Sequence, residues 1–538
     1  MKKFILYVFV LAGVFAACED DLNVEPIDPN LVFGNEVYSS FEGYQRVLAK
    51  IYGSYNVSGQ FGDNNESDLS TISDGGMSAY LRNYWNFQTL PTGEAMNAWN
   101  DNGLVSLQNG NWSADNQYVA GMYYRLYYMI ALTNEFLRES AGGSVAEQNQ
   151  EAITQMRAEA RLIRAIAYYH GIDLYGHMSI IEENSTEQYP TPVEPTELFN
   201  WIVSQLENEI IPDLPTAGTG EYGRMDAGTA YMVLAKMYLN AVNFSGVENP
   251  VQGKNSYDEV VKYTELVNAA YSLDDNYLKL FSIDNHEATG IIFGLALDAS
   301  RTQGFSATQY IMSAGTNGAL GTFVGNPSSN WGGNHATRSI YDKFQMRATG
   351  DMRGKTQNIS ETLEHTTTLV INAGLDMDNP LDFTQGLNVT KFKNKSTDGL
   401  TNGSDPYFVD TDFPMFRLAD SYLMYAEAVL RGGNGEISKA LGYVNDIIER
   451  AYGNANNNIS NAELTLDFLL EERGRELYWE GYRRQDLIRF GKFTSSDYLW
   501  PWKGGVMNGR AIDSHRVVYP IPASELASNP NAEQNTGY

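Results

Sequence analysis

A single cysteine, Cys18, serves all 538 residues, so the body of the chain has no thiol for disulfides, thiolate metal sites or a cysteine nucleophile. Cations are scarce as well. Lys and Arg number 37 against 66 Asp and Glu, a formal net charge of -29. Nothing in that balance would neutralise phosphates, which excludes nucleic acid as a partner and a basic patch for membrane surfaces. The six histidines, at 170, 177, 286, 335, 365 and 515, are scattered without metal-ligand spacing. The N-terminal apolar run, Phe4 to Phe15, is about a dozen residues, too short for a permanent membrane span. Disorder is excluded too, by 43% hydrophobic and 12% aromatic content.

That N-terminus is informative. Met1-Lys2-Lys3 precedes the apolar run, and Ala16-Ala17-Cys18 closes it. The pattern resembles a bacterial lipoprotein signal, with residues 1–17 removed and Cys18 acylated as the lipidation site. Glu19-Asp20-Asp21 resembles an acidic signal for surface export, and 18–30 reads as a lipid tether. The expected location is the outer membrane, lipid-anchored, facing the cell surface.

Beyond the tether, apolar residues recur at three and four from about Ser40 to Tyr55, Tyr118 to Leu137, Glu151 to Leu174, Glu197 to Ile211, Asp226 to Val242 and Tyr257 to Ala270. Helical signals return at Phe416 to Leu430, Ile437 to Arg450 and about Glu463 to Glu480. The expected fold is mainly α: tetratricopeptide-like helix pairs over 31–55, 116–272 and 416–490, supporting an irregular loop-rich lobe over 56–115 and 275–412. Within 56–115, rich in Gly, Asn, Ser and Asp, the tryptophans at 85, 99 and 112 read as exposed. Loops on a rigid scaffold are where binding residues concentrate. Glu472, Glu476 and Glu480 lie a helical turn apart, with Arg473, Arg475, Arg483 and Arg484 nearby, and read as an ion-paired helix, not as catalytic acids.

Several blocks in order carry a resemblance. They are Arg157-Ala158-Glu159-Ala160-Arg161 through Asp173-Leu174-Tyr175-Gly176, Phe416-Arg417-Leu418-Ala419-Asp420, Glu471-Glu472-Arg473-Gly474-Arg475-Glu476-Leu477, Trp479-Glu480-Gly481-Tyr482-Arg483-Arg484, Asp486-Leu487-Ile488-Arg489-Phe490-Gly491 and the terminal Pro520-Ile521-Pro522 with Asn529-Pro530-Asn531. The chain resembles the SusD/RagB glycan-binding lipoproteins of Bacteroidota. Leu90-Pro91-Thr92, Ala98-Trp99 and Trp502-Lys503-Gly504-Gly505 sharpen the likeness toward the starch-binding member.

The resemblance implies a non-catalytic surface protein that binds oligosaccharide and delivers it to a SusC-like TonB-dependent transporter. No cofactor is required. Carried over position by position, the glycan-binding arc falls at Asn97, Phe305 and Trp331, with Asp74, Arg82 and Asn102 as polar partners and Trp99 beside them. Rings stack on sugar C–H faces while Asp, Arg and Asn bond hydroxyls. Asn97 stands where the relative has a tryptophan and Phe305 where it has a tyrosine, so either the ligand is a different or shorter glucan or Trp85 or Tyr84 supplies the missing platform. Asp410 and Asp412, with Asp284 at a position resembling a ligand, are expected to offer oxygens to a structural calcium. Two other classes compete: a surface glycoside hydrolase, and a helical-repeat scaffold binding only protein.

Overall fold

The computed structural model describes residues 34–59 and 67–538. Cys18, the 1–17 signal and the 18–30 tether therefore lie outside the described residues.

Helices dominate, as the periodicity predicts. α1 (Phe41–Gly53) starts after Ser40, whose hydroxyl accepts from the Gly43 amide. Two shorter helices follow, α2 (Tyr80–Thr89) and α3 (Asn102–Asn109). The long α4 (Gln117–Glu139) and α5 (Gln150–Tyr175) come next, then α6 (Pro195–Ser204), α7 (Ala227–Leu239) and α8 (Ser256–Ala270). Asn116, Asp226 and Asn255 cap α4, α7 and α8, each cap contributing about 1 kcal/mol. α9 (Ala307–Gly315) and α10 (Arg338–Gln345) lie in the long excursion that follows, and α11 (Leu418–Leu430), α12 (Ile437–Tyr452), α13 (Leu466–Glu476) and α14 (Arg483–Arg489) come after it.

Neighbouring helices pack side by side: α4 on α5, α5 on α6, α7 on α8 and α11 on α12. α8 also packs on α11, so the segment between them leaves the helical stack and returns to it. Small residues permit the close approaches. A Cβ added to Gly171 in α5 would fall 1.8 Å from the Met178 sulfur, which leaves room for glycine alone. Among the described residues no helix is long and apolar enough to cross a membrane.

The excursion carries most of the strands. In chain order they are β1 (Ala95–Asn97), β2 (Ile291–Leu295), β3 (Asn334–Ala336), β4 (Thr356–Asn358), β5 (Leu369–Ile371), β6 (Leu387–Val389) and β7 (Phe413–Arg417). Five form a sheet in the order β1-β3-β6-β5-β4, antiparallel except for the parallel pair β4–β5. β2 pairs with β7 alone, also antiparallel.

Three expectations are corrected here. Phe416 and Arg417 belong to β7, because β2 takes up their backbone groups before the helix begins. α13 ends at Glu476, and Trp479 beyond it adopts the left-handed φ of 68°. Trp85 and Trp112 are buried, at 2% and 1% exposure, not displayed. The Trp85 indole N–H donates to the Trp479 carbonyl at 2.9 Å, and that of Trp112 to the Tyr538 hydroxyl at 2.7 Å.

The acidic trio is ion-paired, but inside the protein. Glu472 pairs with Arg353 at 2.7 Å and Arg475 at 2.8 Å, Glu476 with Arg353 at 3.0 Å, and Glu480 with Arg417 at 2.6 Å. Arg450 and Lys391 complete the cluster. Of the four arginines expected around the trio, only Arg475 joins it. Arg473 turns to Asp420 and Asp486, Arg483 to Glu471, and Arg484 to Asp173.

Candidate glycan-binding shelf

The pairing of β1 with β3 assembles the site. Asn97 faces Asn334, and the Ala98 amide donates to the Gly333 carbonyl at 2.7 Å, which extends the ribbon by one step. Trp99 leaves one strand and Trp331 enters the other at the same end. The loop holding Trp331 is fixed to α9: its amide donates to the Ser313 carbonyl at 2.7 Å, and that of Gly332 to Thr316 at 2.8 Å. Gly333 has φ of 106°, and a Cβ there would sit 2.5 Å from the Trp99 indole. Glycine is thus required twice over, by backbone angle and by the ring resting on it.

Phe305, at the approach to α9, stands edge to face with Trp331, ring centroids 5.5 Å apart and planes crossed at 69°. Phe408 stacks behind Phe305 at 6.2 Å, and Tyr407 lies at 6.5 Å. Trp99, Phe305 and Trp331 are each half-buried, so they are held from behind while keeping surface in water. Arg82 ties the Trp99 side of this group to α9. Its guanidinium lies 4.6 Å from the Tyr310 ring centroid and 5.8 Å from that of Trp99, and its amide donates to the Ser306 hydroxyl at 3.1 Å. Its buried Nε has no hydrogen-bond partner.

Asp74 is exposed and accepts from the Met77 amide at 2.9 Å. Between it and Arg82 lies Gly76, whose added Cβ would meet the guanidinium at 2.6 Å and the Asp74 carboxylate at 3.1 Å. Asn102 is exposed as the first residue of α3, beside Asp101. Asp101 spends its oxygens on the Gly103 amide at 2.9 Å and the Tyr118 hydroxyl at 2.7 Å. Both carboxylates of this edge therefore start helical turns. A glycosidase needs two carboxyl groups across a bond to be cut.

Asn97 departs from expectation. It is fully buried, its amide donating to Asn334 at 2.6 Å while its oxygen accepts from the Trp99 amide at 2.9 Å. It sets the direction of Trp99 and does not face solvent. Trp99, two residues on, is the half-buried ring at this edge. Neither proposed replacement is available: Trp85 is buried, and Tyr84 packs on His170 with centroids 4.0 Å apart. Sequence reasoning also missed Tyr310, the buried ring beneath Arg82, and the Tyr407-Phe408 backing. The only signal for the latter was adjacent aromatics in a loop.

Asp284, Asp410 and Asp412 do not form the expected calcium site. Asp284 accepts from the Thr397 amide at 3.0 Å and hydroxyl at 2.8 Å. Asp410 accepts from the Ala299 amide at 2.9 Å. Asp412 accepts from the Leu297 amide at 2.7 Å and the Tyr222 hydroxyl at 2.6 Å. Each carboxylate accepts N–H or O–H donors from its own surroundings. Among the described residues no three acidic, histidine or cysteine side chains converge as a metal would require.

Comparison with known proteins follows the same line. The family model described as the SusD family matches residues 352–538. Starch-binding protein SusD of Bacteroides thetaiotaomicron is 32% identical over 99% of this chain and 97% of its own length. A SusD-like protein of Bacteroides ovatus is 22% identical, covering 93% of this chain and 84% of its own. Among solved structures, a SusD homolog from Bacteroides thetaiotaomicron superposes with a TM-score of 0.71 at 17% identity, over 94% of this chain and 99% of that one. A laminarin binding SusD-like protein gives 0.67 at 21% identity, over 93% and 100%. The two structures share the fold. The relatives named by function are binding proteins, not enzymes.

Proposed function

Because this chain belongs to the SusD family and is a non-catalytic glycan-binding protein of that type, we propose that its ligand is starch or another α-glucan, held on the Trp99–Phe305–Trp331 shelf. The observation that carries this reading is the convergence of those three half-buried rings at one end of the β1–β3 ribbon, with Arg82 beside them. A helical glucan presents apolar C–H faces at intervals and hydroxyls between them. Rings set at crossed angles suit such a curved face, while Asp74, Arg82 and Asn102 supply an acceptor, a cation and an amide for the hydroxyls. Identity to a relative named as starch-binding supports α-glucan over β-glucan.

In this reading acylated Cys18 anchors the protein in the outer membrane, and the 18–30 tether lets the body lie over a SusC-like TonB-dependent transporter and pass it the bound oligosaccharide. Two measurements test the proposal. Calorimetric titration with maltoheptaose and with laminarin should show binding of the first, and chromatography after incubation should show maltoheptaose uncut. Binding of laminarin alone would overturn the α-glucan assignment. Protease treatment of intact cells should remove the protein; full protection would overturn the outward-facing anchor.

A further inference from the structure

The β1–β3 ribbon has a second end. There the Thr337 amide donates to the Glu94 carbonyl at 3.2 Å, and the Ser339 hydroxyl donates to the Gly93 carbonyl. Beyond this closure lies a cleft of about 500 Å³ between α10 and α13, within the roughly 300–1,000 Å³ range of small-ligand sites. Leu470, Leu499 and Trp500 give it apolar walls, and Glu94, Lys343 and Arg483 reach it from inside the fold. Glu94 is 2% exposed, yet only its Oε2 is bonded, by the Trp479 amide at 3.3 Å. Among the described residues no group donates to its Oε1 and no cation forms an ion pair with it, and that oxygen is not sealed from solvent, so it opens on the cleft.

Most of the other charges in the cleft are paired. Glu471 takes Lys343 at 2.8 Å and Arg483 at 3.4 Å, and the Arg483 guanidinium donates to the Tyr498 hydroxyl at 2.7 Å. Arg338 pairs with Asp376 at 2.8 Å and Asp342 at 3.6 Å, and Asp467 and Lys492 on the lining are one of each sign. Besides Glu94, Asp467 and Lys492 on the lining form no ion pair among the described residues, and their opposite charges offset in sum. What the cleft offers is a single unused carboxyl oxygen, flanking ammonium and phenol groups, and a wall of aliphatic and indole carbon. A pyranose ring has the matching two-sided chemistry, hydroxyls at its rim and C–H on its face.

We propose that this cleft is a second ligand site, separate from the shelf, which takes a neutral sugar of one or two rings with Glu94 Oε1 bonded to a ring hydroxyl. Burial pushes the Glu94 carboxyl up to about 7, with Arg483 pulling the other way, so near neutrality it accepts from a hydroxyl when ionised and donates to one when not. Glu94 precedes β1 and Trp99 follows it, so one ribbon links the two sites.

Ligand-observed NMR titration of the intact protein with D-glucose, D-galactose, D-mannose and maltose tests the assignment, in a Trp331→Ala background that removes the shelf. At least one of these sugars should still saturate. Adding Glu94→Gln should weaken that residual binding about tenfold or more, the effect of losing a charge-assisted hydrogen bond. Leu499→Arg, at a rim position 46% exposed and so tolerant of a charge, should block the cleft without disturbing the core. Retention of the Trp331→Ala protein on amylopectin reports on the shelf independently. The proposal is overturned if none of the four sugars saturates the Trp331→Ala protein, or if residual binding is unchanged by both Glu94→Gln and Leu499→Arg.

Discussion

Arg82 bridges the Tyr310 and Trp99 rings, its guanidinium 4.6 Å from the first centroid and 5.8 Å from the second. One cation thus fixes a half-buried ring to a buried one, and the shelf inherits the rigidity of α9. Phe305 plays the same part for Trp331. Phe305→Ala should lower maltoheptaose affinity about three- to tenfold, the range of an edge-to-face pair, with no change in melting temperature beyond a few degrees. Calorimetric titration measures the first and differential scanning calorimetry the second.

Gly333→Ala should act on the shelf through Trp99 alone. Its Cβ would fall 2.5 Å from the indole, at a backbone φ of 106° that alanine tolerates poorly. The ring must tilt away, so α-glucan affinity should fall while Phe305 and Trp331 keep their places. Tryptophan emission before and after added maltoheptaose would report the change.

The buried cluster around Glu476 sets stability, not binding. Arg417 is 1% exposed and pairs with both Glu476 and Glu480. Arg417→Met leaves those carboxylates buried with fewer cations, at a cost of about 3–5 kcal/mol. Urea unfolding should show a lower midpoint, and the folded fraction should bind maltoheptaose as the parent does.

Glu472 gives that cluster a pH signature. Burial alone would raise its carboxyl, but the Arg353 and Arg475 guanidinium groups beside it hold it at about 2, against an ordinary 4.5. The unfolded chain therefore takes up the proton first as pH falls. The stabilisation is complete above about 4.5 and is lost between there and about 2, amounting to about 3 kcal/mol. Acid titration of unfolding should show this slope, and Glu472→Gln should flatten it while lowering stability at neutral pH.

Much of the helical architecture was legible because its signal is local. Apolar spacing placed a helix at Tyr118 to Leu137 where α4 runs Gln117–Glu139, and at Glu151 to Leu174 where α5 runs Gln150–Tyr175. Features that depend on distant partners were not. Trp85 looked exposed because its cover, Trp479, comes 394 residues later. The partners of Glu476 were hidden because Arg353 and Arg417 reach it from remote segments. The three rings of the shelf, Phe305, Trp331 and Trp99, were singled out, but the burial of Asn97, named with them, was not visible. The register that decides between them rests on two three-residue strands, too short for alternation to show.

The central claim, that the crossed rings at this end of the ribbon hold α-glucan, is tested most directly by affinity electrophoresis in gels containing amylopectin. The parent protein should be strongly retarded, and Trp331→Ala, with Phe305 left unopposed, should migrate as it does in a gel without polysaccharide. Undiminished retardation of a folded Trp331→Ala protein would contradict the account.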